Sequence, residues 1–377
     1  MMKKILFVLA AVLLAACNDD NPLAPSTGGI PNANSNAGLV TQKKALYRTE
    51  SSATDVQKVA NRLEMPRLQG GTQNLFVVHT LSNGVVNYSM EYDCTLKANR
   101  WIAYQWYVGL SSQEVRWDRD NWKKESFNGY TGSSGPFQPD PLLPKQYQTT
   151  LDDHTRNGYD RGHMLGSADR LNSKEANGQT FYLSNMHPQL AGFNQGGIWY
   201  NLENRLRNEY DKNSFRDTLY VVKGGTIGKG QYSLAKNNVP VPRYFYMAIL
   251  CKNGEKTQGG YKAIAFWMEH KANKDTDFAK YAISIDELEK RTGIDFFCNL
   301  PDDIELQVER NLVLGAWGCG AFGNKPEEVS EYFKKVLVEE AYGKCFEEVC
   351  FAIYGKTDGR NIEAFRETFQ KEILHEG

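Results

Sequence analysis

The sequence predicts an α+β fold, a central and largely antiparallel sheet flanked by helices. Three observations carry this. Runs of β-branched and aromatic residues recur from Leu75 onward, punctuated by Gly, Pro and Asn. Between and after them lie amphipathic stretches with helical start and stop signals. The chain of 377 residues is 41% hydrophobic and 12% aromatic, enough to bury a large core. Its formal net charge of -1 gives no overall attraction to a polyanion, so any nucleic-acid site must come from local clustering of Arg and Lys.

Taken in order, the chain opens with Lys3 and Lys4 before the apolar run "ILFVLAAVLL", too short to span a bilayer in a mature protein. The run ends in "LAAC", Leu14 to Cys17, and resembles a bacterial lipoprotein signal. That resemblance makes residues 1–16 a signal peptide and Cys17 the lipidated N-terminus. Such a chain is exported, to the periplasm or the cell surface, and its acyl chains hold it on a membrane. Residues 17–70 are expected as a tether rich in Asn, Pro, Gly and Ser, followed by an N-terminal extension. Cys94, Cys251, Cys298, Cys319, Cys345 and Cys350 could pair in an oxidising compartment, but spacing selects no connectivity. No Cys/His spacing suits structural zinc.

"NLFVVHTLSNGVVNYSMEY" reads as a hairpin around Asn83-Gly84, because that pair tolerates the positive φ of a tight turn. "RWIAYQWYV" follows as a third strand, and "SSGPFQPDPLLPKQY" as a Pro-punctuated loop. "DTLYVVKGG", "RYFYMAILC" and "YKAIAFWME" are further buried strands. "GIWYNLENRLRNEY" is a helix with Ile198, Leu202 and Leu206 on one face, and "SIDELEKRTG" a short helix opened by Ser284 and closed by Gly293.

Chemistry concentrates in "NGYDRGHMLG", residues 157–166, and in "FYLSNMHPQLAGFNQGGIWYNLENRLR", residues 181–207. Hydrolysis of a phosphodiester needs a base of near-neutral pKa, which His163 can be. Charge developing on the phosphate needs cations, available from Arg161 and Arg207. The leaving oxygen needs a Lewis acid. Mg2+, with Mn2+ as a substitute, dehydrates reluctantly and is held by few protein oxygens, a description that Asn194 as ligand and Glu203 as holder of waters both meet.

These three stretches, "YDRGHM", "LSNMHPQ" and "FNQGGIWYNLENRLR", resemble the active-site signature of the DNA/RNA non-specific endonucleases, the ββα-metal nucleases. "YSMEYDCTLKANRWIAYQW", "FQPDPLLPKQY" and "AISIDELEKRTGIDFF" are similar to outer parts of that family, which sets a nuclease domain at residues 71–311. The resemblance implies His163 as general base, Asn194 as the single direct metal ligand, and Glu203 as the residue orienting metal-bound waters. Arg161 and Arg207 stabilise the transition state or leaving group. Asp160 anchors the motif, and Asn185 supports the site. An upstream arginine on the substrate phosphate is expected at Arg116 or Arg119. The substrates are DNA and RNA, contacted through their phosphate backbone with little base selectivity. His154 and His187 read as structural, and His79, His270 and His375 carry no functional signal.

One departure stands out. The family separates the metal Asn from the Glu by eight residues, and here Asn194 to Glu203 is nine. On a continuous helix the extra residue rotates a side chain by about 100 degrees. Gly196 and Gly197 offer an escape if the helix begins after them. A nuclease fold that binds nucleic acid but cuts poorly therefore stays open as an alternative. Residues 312–377 resemble a fragment of the microbial poly(ADP-ribose) glycohydrolase-like macrodomains, with "GAWGCGAFGN" as a phosphate-wrapping loop followed by helix, strand and helix. The catalytic glutamates of that family have no counterpart here, which argues against catalysis by the tail and leaves a degenerate remnant, a fusion artefact, a packing appendage or an ADP-ribose-binding module.

Overall fold

A computed structural model describes residues 5–10, 34–115, 136–213, 215–252, 260–315, 325–339, 348–354, 359–370 and 373–376. Its frame is an eight-stranded sheet. In spatial order the strands are Ala282–Ile283, Tyr261–Glu269, Tyr244–Lys252, Thr218–Gly225, Ala98–Trp106, Val86–Asp93, Gly71–Thr80 and Ala45–Thr49. Every neighbouring pair is antiparallel except the last. The hairpin at Asn83-Gly84 forms as expected, with Gly84 at φ +81.

Strand alternation gives this sheet two buried faces. Phe76, Val78, Trp101, Ala103, Val222 and Ala248 line one core with Ile285, Leu288 and Phe296. Leu75, Val77, Ile102, Tyr104, Val221 and Met247 line the other, against Phe193, Ile198, Trp199 and Leu202. The second face is the one that carries the site. Ser284 caps the Ile285–Thr292 helix by accepting from Glu287 N, and Gly293 ends it in the left-handed region at φ +68.

The N-terminal extension is part of this body from Asn34 onward. Asn36 is fully buried: its amide donates to Ala60 O and Pro66 O at 3.0 Å each and accepts from Leu68 N at 2.9 Å. Val40, Val56, Val59, Met65 and Leu68 follow it into the first core. Polar composition concealed this, because one Asn meeting three backbone groups satisfies a loop as well as a strand ladder does.

Beyond the large sheet, Asn311–Gly315 pairs in parallel with Glu348–Tyr354. Helices Pro326–Lys334 and Arg360–Thr368 flank that pair, and Phe333, Phe351, Phe365 and Phe369 pack ring to ring. Helix, strand and helix thus follow in the expected order, while most of the glycine-rich loop lies outside the described residues. The apolar N-terminal run, expected to stand apart from the fold, has Ile5–Ala10 as a strand between Glu348–Tyr354 and Ile373–Glu376. A continuous apolar run suits a parallel strand paired on both sides as well as it suits an export signal. Cys94, Cys251 and Cys298 are buried free thiols, so none of these three pairs with another. Cys17 lies outside the described residues.

Candidate active site

Asp160–His163 forms a short strand antiparallel to Met186–Gln189, with Gly162 opposite His187 and His163 opposite Met186. Gly162 is dictated by packing. A Cβ there would come within 2.2 Å of the Gln189 side chain, which is itself fully buried. The Arg161 guanidinium stacks 4.2 Å over the Phe137 ring. The His163 ring meets Phe181 edge-on at 5.4 Å and lies 5.9 Å from Phe137.

Asn185 clamps the chain that leaves His163. Its Oδ1 accepts from Leu165 N at 2.9 Å, its Nδ2 donates to Leu165 O and Thr180 O, and its backbone O accepts from Met164 N. Asn185 is fully buried, and these bonds hold the loop that follows His163. Its expected supporting part is what the geometry allows.

Asp160 binds the motif to the metal-ligand candidate. Its Oδ2 accepts from Asn194 Nδ2 at 3.2 Å and from Gln195 Nε2 at 2.8 Å. With the amide NH2 committed to Asp160, Asn194 Oδ1 faces away as an oxygen donor, and no hydrogen bond among the described residues reaches it. Asn194 closes a single helical turn, Ala191–Asn194. Gly196 follows at φ +66, and the long helix starts afresh at Ile198 after Gly197. The extra residue thus falls in the glycine step. Asn273 O receives the first helical N–H, from Ile198, at 2.7 Å.

On that helix Ile198, Trp199, Leu202 and Glu203 are buried. Glu203 is bonded at Oε1 to Lys223 Nζ, 2.7 Å away, and no described hydrogen bond reaches Oε2. Lys223 Nζ also lies 3.6 Å from Asp169 Oδ2. The helix ends in a wider π turn, Leu206–Tyr210, which carries Arg207. Arg207 gives Nε and Nη2 to Asp169 Oδ1 at 2.8 and 2.7 Å, and Nη1 to Asn204 Oδ1 at 2.7 Å. Its guanidinium lines a cavity of about 120 Å³ with Trp106, Ser111, Gln113, Asp169 and Asp211.

Burial works against ionisation of Asp169, yet Arg207 and Lys223 outweigh it and hold its carboxyl below the usual range. Burial would likewise lower the Lys223 pKa, but Glu203, Tyr104 and Asp169 raise it above that of an ordinary lysine. For Glu203 burial dominates and pushes the carboxyl up in spite of Lys223, which leaves Asp169 the more firmly ionised of the two.

A hydrogen bond therefore joins Asp160 with Asn194, and Glu203 is linked to Arg207 through Lys223 and Asp169 by two hydrogen-bonded ion pairs and one looser ion pair at 3.6 Å. Arg116 and Arg119 lie outside the described residues. Lys223 and Asp169 escaped the sequence reading. The signal for Lys223 was present: a lone cation inside "TLYVVKGG", at the alternate position that continues Leu219 and Val221 onto the buried face. Three other histidines are held inside the fold. His187 is buried against Asn99, its pKa pushed down to about 3, and burial takes His154 to about 4. His270 accepts from Leu190 N and contacts Pro242 O, fixing the turn before Asn194.

The model of the DNA/RNA non-specific endonuclease family matches residues 73–303. Nuclease C1 of Cunninghamella echinulata var. echinulata is 34% identical over 181 residues, covering 46% of this chain and 70% of that protein. A nuclease of Nostoc sp. is 29% identical over 229 residues, 60% of this chain and 76% of the relative. A chain of the solved EndoG/EndoGI complex shares the fold with a TM-score of 0.51 at 21% identity, over 66% of this chain and 94% of that one. A family match spanning well over half of the sequence, on a ββα unit built from the motif residues themselves, settles the assignment: the chain belongs to the DNA/RNA non-specific endonuclease family.

Proposed function

We propose that this chain is a Mg2+-dependent endonuclease that hydrolyses DNA and RNA with little base selectivity, working outside the cytosol from a lipid anchor at Cys17. The observation that carries the catalytic reading is the Asp160–Asn194–Gln195 knot. The strand that ends in His163 begins with a carboxylate that aims the amide of Asn194. The donor set fits a hydrated Mg2+: Asn194 Oδ1 is a neutral hard oxygen, and Glu203 Oε2 is left to hold surrounding water. When bound, the ion would supply a Lewis acid for the developing charge on the leaving oxygen.

His163, at the end of the strand that Asp160 begins, takes the proton of the attacking water. Asp160 orients Asn194 and does not itself react. Arg161 offers a guanidinium beside the same strand. Arg207 is anchored by Asp169 and reaches the cavity beside it, where it meets a phosphate as a fixed cation rather than a mobile one. The helix restart after Gly197 favours a working site over an impaired one.

The test is degradation of plasmid DNA and of RNA by the purified full-length protein with Mg2+. EDTA is expected to abolish cutting, and His163→Ala to lower the rate by about 100-fold or more. Full activity in EDTA, or in His163→Ala, overturns the reading.

A further inference from the structure

We propose that Lys223 is a positioning residue of this site, a buried ammonium that ties the helix bearing Glu203 to the loop that follows His163. The inference rests on the nuclease reading above. Its geometry is that of a three-way brace. Nζ sits 2.7 Å from Glu203 Oε1 and 3.6 Å from Asp169 Oδ2. Glu203 lies nine residues past Asn194 on the restarted helix, and Asp169 lies six residues past His163, just beyond the segment that Asn185 clamps. Lys223 itself comes from the middle of the large sheet, on the rigid strand Thr218–Gly225. One cation therefore fixes the separation of the two elements that carry the base and the metal-ligand side of the site.

Arg207 does not substitute for it. Both of its bonds to Asp169 go to Oδ1, and Asp169 Oδ2, fully buried, accepts no hydrogen bond among the described residues. The Lys223 ammonium lies 3.6 Å from that oxygen, within ion-pair distance. The rings of Tyr104 and Trp199, 5.5 and 5.7 Å from Nζ, wall the ammonium in and favour its charge. A lysine of 0% exposure is rare unless partnered, and its two carboxylate partners are the site residue Glu203 and Asp169, the anchor of Arg207.

This placement has two opposed effects on a divalent ion near Glu203. The ammonium fixes Oε1, which holds the carboxylate in a single pose. It also sets a positive charge beside the carboxylate that faces the ion, which weakens the ion's attraction. Removing Lys223 should therefore tighten ion binding and slow turnover together. Loss of a residue that serves only the fold weakens both or changes neither.

The experiment compares full-length wild type, Lys223→Met and Lys223→Gln. Mn2+ binding is measured by titration calorimetry without substrate, and plasmid cleavage at saturating Mg2+. Lys223→Met is expected to bind Mn2+ about tenfold tighter and to lose about 100-fold in kcat with KM for DNA little changed. Lys223→Gln, whose amide still donates to Glu203 Oε1, is expected to share the tighter binding and to keep more of kcat. A folded variant with Mn2+ affinity equal to or weaker than wild type, or with wild-type kcat, overturns the proposal. Failure of both variants to fold overturns it too, since Lys223 would then be a residue of the fold. A wild type that cuts nothing defeats the nuclease reading instead, and the three Mn2+ affinities still decide the brace.

Discussion

At the scale of single residues, His79 is a buried histidine held between two carboxylates away from the site. Its ring lies between Glu50 Oε1 at 2.6 Å and Asp140 Oδ2 at 3.1 Å, and Asp140 also accepts from Ser184 Oγ at 2.6 Å. Burial alone would lower its pKa, but Asp140 and Glu50 raise it to about 10. A folded pKa above the unfolded one gives stability that is complete below about pH 6.5 and is lost as pH rises through about 10. The loss is expected to reach a few kcal/mol. Glu289 and Glu305, with pKa values raised to about 8 and about 7, lose stability in the same direction but over a lower window. Denaturant titrations of wild type and His79→Gln at several pH values isolate the histidine. The variant is expected to be the less stable at pH 7, with the gap narrowing between pH 8 and 10. A gap constant with pH would show that His79 is uncharged in the fold.

At the scale of elements, the glycine step decides whether an insertion is tolerated. A Cβ on Gly197 would lie 2.2 Å from Phe193 O, so Gly197→Ala must displace the turn that presents Asn194. We expect a stability loss of about 1–3 kcal/mol and a larger proportional loss of nuclease activity, checked by thermal melts beside cleavage rates. Wild-type activity in that variant would mean the step is incidental. Much of this level was legible in advance. The hairpin at Asn83-Gly84, the strands "TLYVVKGG" and "YFYMAILC" and the capped helix after Ser284 follow from period and turn chemistry alone. The DRGH strand, Asn194 and Glu203 were legible because they are close in sequence. Asp140, Asp169 and Lys223 were not, since each is defined by a partner brought near only by folding. The buried extension from Asn34 was concealed by its polar letters.

At the scale of the whole molecule, Ile5–Ala10 is asked to do two things that exclude one another in a single molecule. Cleavage before Cys17, as the proposed lipid anchor requires, would remove the strand between Glu348–Tyr354 and Ile373–Glu376. The mature protein is then expected to start at an acylated Cys17, with a C-terminal segment that has lost a central strand. Intact mass measurement of membrane-extracted protein tests the first point, and limited proteolysis the second, with cuts beyond residue 311 expected before any in the large sheet. A mass that retains residues 1–16 would instead keep the strand and remove the anchor.

The carboxylate of Asp160 that aims Asn194 has a consequence for when such an enzyme is awake. A single uncharged amide oxygen grips a hard cation only loosely, so the ion exchanges freely with whatever bathes the protein. On the proposed mechanism, activity would then follow the free concentration of the divalent ion, and a chelator is expected to silence the enzyme without unfolding it.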